Sequence, residues 1–429
     1  MMSGRGSIHE VAIAAATSLL AALVFYFSTR ATLHDLDYTN QIAWALLHGR
    51  LGLVEKPPGW LNEMIPWGNR YYSAFPLGAV LSMVPVALLR GAGLIESFPG
   101  HVISAAVAGL SVYFFFQLYD ALGSDYAGFE IKSLARRIML ALFPVFGTWT
   151  WCNLGFAGAW QIALGLAVLG QTAALYFTLV RPSPFLAGIF FALAFGNRTE
   201  LIITLPLYLY FFWRQPDAAQ RVTGSNPAQP SGTTTAGLLK RHFQGRSQTF
   251  VLFLIVPAIL GLLTAAYNWA RFHSIFDFGY MHIPEVREEP WYAHGLFSIH
   301  AIPLNVYTML FQGFDSIDYF PYIRPNGFGC SILLASPFLC LLFRQGGRYN
   351  TAAWVAIATL TVVLWMHGNP GSWQFSYRYA MILLPWMFLL LAGNGPPKIN
   401  LPESALFAVS VAINATAMWL FLWTEQIQP

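Results

Sequence analysis

Apolar runs of membrane length alternate along this chain with short polar breaks, and two long polar stretches separate them. A helix needs about 20 predominantly apolar residues to cross a bilayer. Runs near 8–28, 73–90, 100–119, 135–152, 155–179, 185–213, 250–269, 329–343, 349–366, 378–393 and 402–423 meet or approach that length. They predict an all-α polytopic membrane protein with about eleven transmembrane helices in a single domain over 1–429. The runs are continuous, whereas the strands of a membrane barrel alternate polar and apolar residues. The run 185–213 is interrupted by Asn197-Arg198-Thr199-Glu200. It reads as one tilted helix or as two half-helices meeting at a break, and the span count changes accordingly. The first run, Ile8 to Phe27, is longer than a usual signal-peptide core and predicts an uncleaved first span.

The polar stretches set the expected topology. Segment 214–249 is rich in Pro, Gly, Ser and Thr and carries five Lys/Arg against the single acid Asp217. That composition predicts a flexible cytoplasmic linker. Segment 270–328 carries six acids (Asp277, Glu285, Glu288, Glu289, Asp315, Asp318) against three arginines and is expected outside. With eleven spans and a cytoplasmic start, the loop 29–72 falls outside too. Lys132, Arg136 and Arg137 then also fall outside, against the positive-inside tendency. Within the first loop, Tyr38 to His48 has the spacing of a short interfacial helix ended by Gly49.

Composition narrows the class. Only 10% of the 429 residues are charged and 56% are hydrophobic, too little polar surface for a soluble domain. A net charge of +4, scattered along the chain, excludes a nucleic-acid partner. Cys152, Cys330 and Cys340 form neither a disulfide framework nor a metal spacing.

Against this background the charged residues stand out. His34 to Arg70 holds four of the 19 carboxylates: Asp35, Asp37, Glu55 and Glu63. A carboxylate packed against a membrane cavity is costly and marks a candidate site. Asp35, with Asp37 as competitor, is the expected catalytic base; the plain alternative is a solvated pair capping the next helix. His34, Asp35 and Asp37 also leave a metal open, and no second ligand cluster accompanies them. Arg198 interrupts an apolar run beside Glu200, and its guanidinium suits a lipid-linked phosphate or an internal ion pair. Arg271, at the end of the run preceding 270–328, suits a phosphate or a snorkelling end. Arg378 opens the next span between Tyr377 and Tyr379, after the Gly- and aromatic-rich turn His367 to Tyr379. No P-loop, Gly-x-Ser-x-Gly elbow or Ser-His-Asp order is present, so a phosphorylated donor is expected to arrive as a lipid.

Several passages resemble the GT-C superfamily of polytopic glycosyltransferases, near the protein O-mannosyltransferase and aminoarabinose transferase group. They are HDLDYTNQIAWALLHGRL, YYSAFPLGAVLSMVPVALL, FALAFGNRTELIITLPL, NWARFHSIFDFGY and SYRYAMILLPW. The resemblance implies a transferase in the bacterial cytoplasmic membrane, with its active site facing outward. It implies inverting transfer of a sugar from a polyprenyl-phosphate donor to a glycan, lipid or protein acceptor, without a cofactor. Carried onto this chain, it implies Asp35 or Asp37 as base and Arg198, Arg271, Arg378 and Lys56 as donor or phosphate contacts. Candidate substrate contacts are Glu55, Glu63, Tyr71, Glu200, Tyr280, His282, His367, Trp373, Tyr377 and Tyr379. The chain shows Asp35-Leu36-Asp37 where the pattern has Asp-Glu, and it is expected to lack the separate C-terminal soluble domain of many relatives. A transporter or lipid flippase is the alternative, since broken spans with intramembrane charges are transporter features as well.

Overall fold

A computed structural model describes residues 8–30, 34–119, 133–214, 235–320, 322–371 and 373–427. Most of the linker expected at 214–249, and Lys132, lie outside the described residues. Among those described, five helices are long and apolar enough to cross a bilayer: His9–Ser28, Gly100–Leu118, Ala159–Leu179, Arg246–Phe272 and Leu401–Leu422. Shorter apolar helices cover Pro184–Asn197, Asn350–Met366 and Arg378–Gly393. Among the described residues, five of the about eleven expected spans thus form single helices of membrane-crossing length, and others are broken into shorter pieces.

The reason is local. Proline has no amide hydrogen and clashes with the preceding turn, and a proline stands at four of the breaks. Pro85 stands in the first turn of α4 (Val84–Gly91), which follows α3 (Leu77–Ser82) across Met83. Pro206 opens α10 (Leu205–Arg214) after α9 (Pro184–Asn197) and a 3-10 turn. Pro337 follows α13 (Ile332–Ala335), and Pro385 opens α15 (Leu384–Gly393).

The packing of α1 (Ile8–Ser28) against α5 (Gly100–Leu118) revises the topology. Ser18 donates to the Gly109 carbonyl at 2.7 Å, and Thr29, just past α1, lies 3.4 Å from His101 at the start of α5. The two helices are antiparallel, so residues 34–99 begin and end at the same end of the bundle. Run 73–90 turns back there instead of crossing: α4 packs on α2 (Tyr38–Leu47), with Gly91 against Trp44. Run 185–213 does the opposite. It climbs to that end through α9, turns at Arg198, and returns through α10.

The far end is basic. Arg136, near the start of α6 (Leu134–Phe146), donates through Nε and Nη2 to Glu403 at 3.0 and 3.1 Å. Glu403 opens α16 (Leu401–Leu422), and Arg344 Nη1 shares its Oε1 with Arg136 Nη2, at 2.5 Å. Arg136 and Arg137 thus sit at the end of the bundle opposite the two polar loops, not beside them as expected. Between the two ends, Trp149 and Trp386 are fully buried in the bundle core. The Trp386 indole donates to Gln171 of α8 (Ala159–Leu179) at 2.9 Å.

Candidate active site

At the loop end a cavity of about 600 Å³ opens between α8, the break after α9, residues 274–297, the end of α14 (Asn350–Met366), and Tyr379. Its walls include Trp160, Arg198, Glu200, Asp277, Tyr280, His282, Arg287, His367 and Tyr379. Such a concentration of ionisable groups in an apolar bundle requires pairing, because an isolated charge there is costly.

The backbone supplies the first pair. At the end of α9 the chain leaves the helical region at Arg198 (φ −136, ψ 96) and enters a 3-10 turn. Arg198 and Glu200 then meet at 2.7 Å, each about one-seventh exposed, and the guanidinium lies 5.0 Å over the Tyr379 ring. Asn197 ties the turn to Ser82 of α3 at 3.1 Å. The close approach depends on glycine: a Cβ on Gly78 would overlap the Gly196 backbone.

The 273–297 loop supplies the second pair. Asp277 accepts from the Gly279 amide at 2.7 Å and from His282 Nε2 at 2.8 Å. Arg287 Nη2 lies 3.4 Å from His282 Nδ1 and donates through Nε to the Met281 carbonyl at 2.8 Å. An arginine can only donate, so His282 Nδ1 is the acceptor and Nε2–H points to Asp277. Both ring nitrogens are occupied, and Trp67 and Phe272 pack on the ring at 4.5 and 5.4 Å. His282 is an electrostatic bridge in the wall.

His367 differs. Its Nδ1 lies 2.7 Å from the Asn369 carbonyl, so Nδ1 carries the hydrogen and Nε2 is left as an acceptor. Phe297, Tyr379, Tyr292 and Tyr280 surround the ring at 5.3 to 6.3 Å. Burial, reinforced by Arg198 and Arg378, pulls its pKa down to about 4, against a smaller opposing effect of the Asn369 bond. It is neutral at neutral pH.

Among the first-loop acids, Glu63 is the one tied to a cavity wall. Its carboxylate accepts from the Trp160 indole N–H. Burial raises the Glu63 pKa, the Trp160 bond and then Arg378 oppose the rise, and Glu289 adds to it. The hairpin β1 (Ile65–Trp67) with β2 (Arg70–Tyr72) follows directly and fixes where Glu63 leaves the loop. Arg378 is buried, donates to the Tyr379 hydroxyl at 3.3 Å and stacks on that ring at 5.1 Å.

The expected base positions lie elsewhere. Asp35 is exposed on the loop, and none of Asp35, Asp37 and Glu63 lines the cavity itself; Glu63 differs in being bonded to the lining residue Trp160. Asp37 is buried just before α2, where Asn40 and Gln41 donate to Oδ2 at 3.3 and 2.8 Å. Desolvation raises its pKa, opposed by those two amides. Asp37 holds the N-cap position of α2, but its carboxylate accepts from those side-chain amides and from no backbone N–H of the helix, so it is neither solvated nor a side-chain cap.

The remaining candidates divide in the same way. Arg198, Glu200, Tyr280, His282, His367 and Tyr379 come together in the cavity. Arg271 does not: only 2% exposed, it donates to the Ser73 carbonyl and to Asn268, each at 2.7 Å, and stacks on Tyr267 at 3.9 Å. It clamps α11 (Thr235–Phe272) to the chain entering α3. Glu55 and Lys56 are exposed, and Tyr71 pairs with Leu53 beside the hairpin. Trp373 packs on Phe421 at 5.3 Å, and Tyr377 donates to Asn305 at 2.9 Å inside the core. Trp160, Asp277 and Arg287 were not among the candidates. Trp160 sits in an apolar run with no polar signal, while Asp277 and Arg287 belong to the acidic loop already marked. Among the described residues, no three His, Cys, Asp or Glu side chains converge as metal ligands.

No family model and no curated protein matches the chain. The chain is similar in structure to the oligosaccharyltransferase of Archaeoglobus fulgidus in its apo form, with 14% identity and a TM-score of 0.45. The match covers 96% of this chain and 56% of that one, so the chain spans a little over half its length. A likeness of that size assigns no activity, and the functional reading rests on the cavity.

Proposed function

We propose that this chain is a membrane glycosyltransferase that takes a sugar from a polyprenyl-phosphate donor within the loop-end cavity and passes it to a hydroxyl acceptor with inversion. The observation that carries the reading is the cavity itself. It has apolar and aromatic walls, an arginine–carboxylate pair and a carboxylate-tied tryptophan, assembled from chain segments that also resemble GT-C motifs. The loop end is then the outer face, and the donor reaches the cavity from the bilayer.

Glu63 is favoured over Asp35 and Asp37 as the base by its bond to Trp160. Its carboxylate takes the proton of the acceptor hydroxyl as that oxygen bonds to the anomeric carbon. The bond from that carbon to the phosphate oxygen breaks, and the electron pair leaves with the polyprenyl phosphate. Arg198 offsets the charge appearing on the leaving phosphate, the kind of electrostatic term that usually dominates such steps. Tyr280, Tyr379 and the neutral His367 offer ring faces and hydrogen-bonding groups to a sugar.

The test is transfer from a labelled polyprenyl-phosphate sugar by the purified protein. Glu63→Gln should lower kcat about 10²- to 10⁴-fold, the usual range for a lost general base. Asp35→Asn should stay near wild type. Full activity in Glu63→Gln with loss in Asp35→Asn would return the base to Asp35. Absence of transfer by the wild type, with lipid or solute movement instead, would establish the transporter alternative.

A further inference from the structure

The opposite end of the bundle holds a second cavity, of about 590 Å³, that the transfer reaction does not use. It lies between the end of α8, α10 and the start of α14. Its lining joins polar residues to the apolar Leu179, Leu207, Phe211 and Val355. The rim carries Arg214, whose Nη1 donates to the Tyr210 hydroxyl at 3.0 Å, and Arg348, whose guanidinium lies 5.5 Å over the Tyr349 ring. Among the described residues neither guanidinium meets a carboxylate. The contrast with the nearby Arg344 and Arg136, both committed to Glu403, is direct.

We propose that this cavity binds an anionic phospholipid of the membrane leaflet at the basic end, its phosphate at Arg214 and Arg348 and an acyl chain in the slot below. Two arginines present forked donors matched to phosphate oxygens. The tyrosines hold those side chains at the rim, where a headgroup lies. The apolar walls continue the bilayer, so one amphiphile satisfies both halves of the cavity. A free phosphate ion would meet only the rim and leave the slot unfilled.

The full chain, purified in a neutral detergent, tests this by native mass spectrometry with phosphatidylglycerol, phosphatidylcholine and inorganic phosphate as probes. Phosphatidylglycerol should bind more tightly than phosphatidylcholine. The double variant Arg214→Gln/Arg348→Gln should weaken its binding by about thirtyfold, from about fivefold for each basic group at a membrane surface. Val355→Trp, which fills the slot and keeps both arginines, should also weaken phosphatidylglycerol while leaving the thermal midpoint in lipid-free detergent unchanged. Should the double variant fail to fold, Val355→Trp decides alone. Equal binding of the two lipids, or full retention by either variant, would overturn the proposal. So would inorganic phosphate displacing phosphatidylglycerol at equal concentration, which would mark a site for a soluble anion.

Discussion

Glu403 is where a single atom change should cost this protein most. Its carboxylate is 1% exposed and accepts two bonds from Arg136, itself 1% exposed, and one from Arg344, which is 29% exposed. Arg136 also donates to Tyr119 at 3.2 Å and to the Leu391 carbonyl at 3.0 Å, so three other segments converge on its guanidinium. Glu403→Gln keeps the shape and one acceptor but leaves that guanidinium buried without a counter-charge. Breaking a buried pair costs about 3–5 kcal/mol, and the retained acceptor places this variant near the lower end. Replacing both partners, as in Arg136→Met with Glu403→Leu, should recover most of the loss, because no buried charge remains and Arg344 can turn to water. The assay is reversible unfolding in mixed micelles of wild type, each single variant and the pair. Strong non-additivity is expected, since the two side chains are in contact. A Glu403→Gln loss below about 1 kcal/mol, or simple additivity, would refute the reasoning: the pair would then be hydrated and not a lock.

Three further outcomes follow from the loop end. The Trp160 bond stabilises the ionised form of Glu63, so Trp160→Phe should raise that pKa further and move the acid limb of kcat/KM to higher pH; an unmoved limb would remove Glu63 as its source. Arg271→Lys should lower thermal stability while leaving the donor KM unchanged, because a lysine cannot make both bonds and the ring contact; a raised KM at unchanged stability would restore a donor role. His367 has a folded-state pKa lowered to about 4 against about 6.5 unfolded. Its contribution is present above pH 6.5 and is lost as pH falls toward 4, at about 1.4 kcal/mol per pH unit. The stability difference between wild type and His367→Gln should shrink over that window, and a constant difference would mean the imidazole is solvated.

The polytopic helical character of the chain, its segmentation, and the candidacy of the Arg198–Glu200 break were all legible in the sequence. Each depends on local information: the length of an apolar run, or a charge where apolar residues surround it. The prolines at the breaks were legible too, yet their consequence was not, since a proline interrupts a helix without saying whether the chain continues forward or turns back. That choice came from the antiparallel contact of α1 with α5, a side-chain bond between residues 91 positions apart.

The same limit governs the site. A first-loop acid as base is an inference from position, and four acids share that loop. Burial and partners separated them: Asp37 is bound by its own helix, Asp35 and Glu55 are exposed, and Glu63 meets Trp160, 97 residues away in an apolar run. Arg271 and Arg378 read alike as arginines at span ends, but one is consumed by a backbone carbonyl and an amide while the other stacks beside the cavity. Sequence alone determined which residue types and which loops were available for chemistry, because hydropathy and charge act at each position. Tertiary structure decided which of them face one another, because contacts between distant segments are set by how whole helices pack.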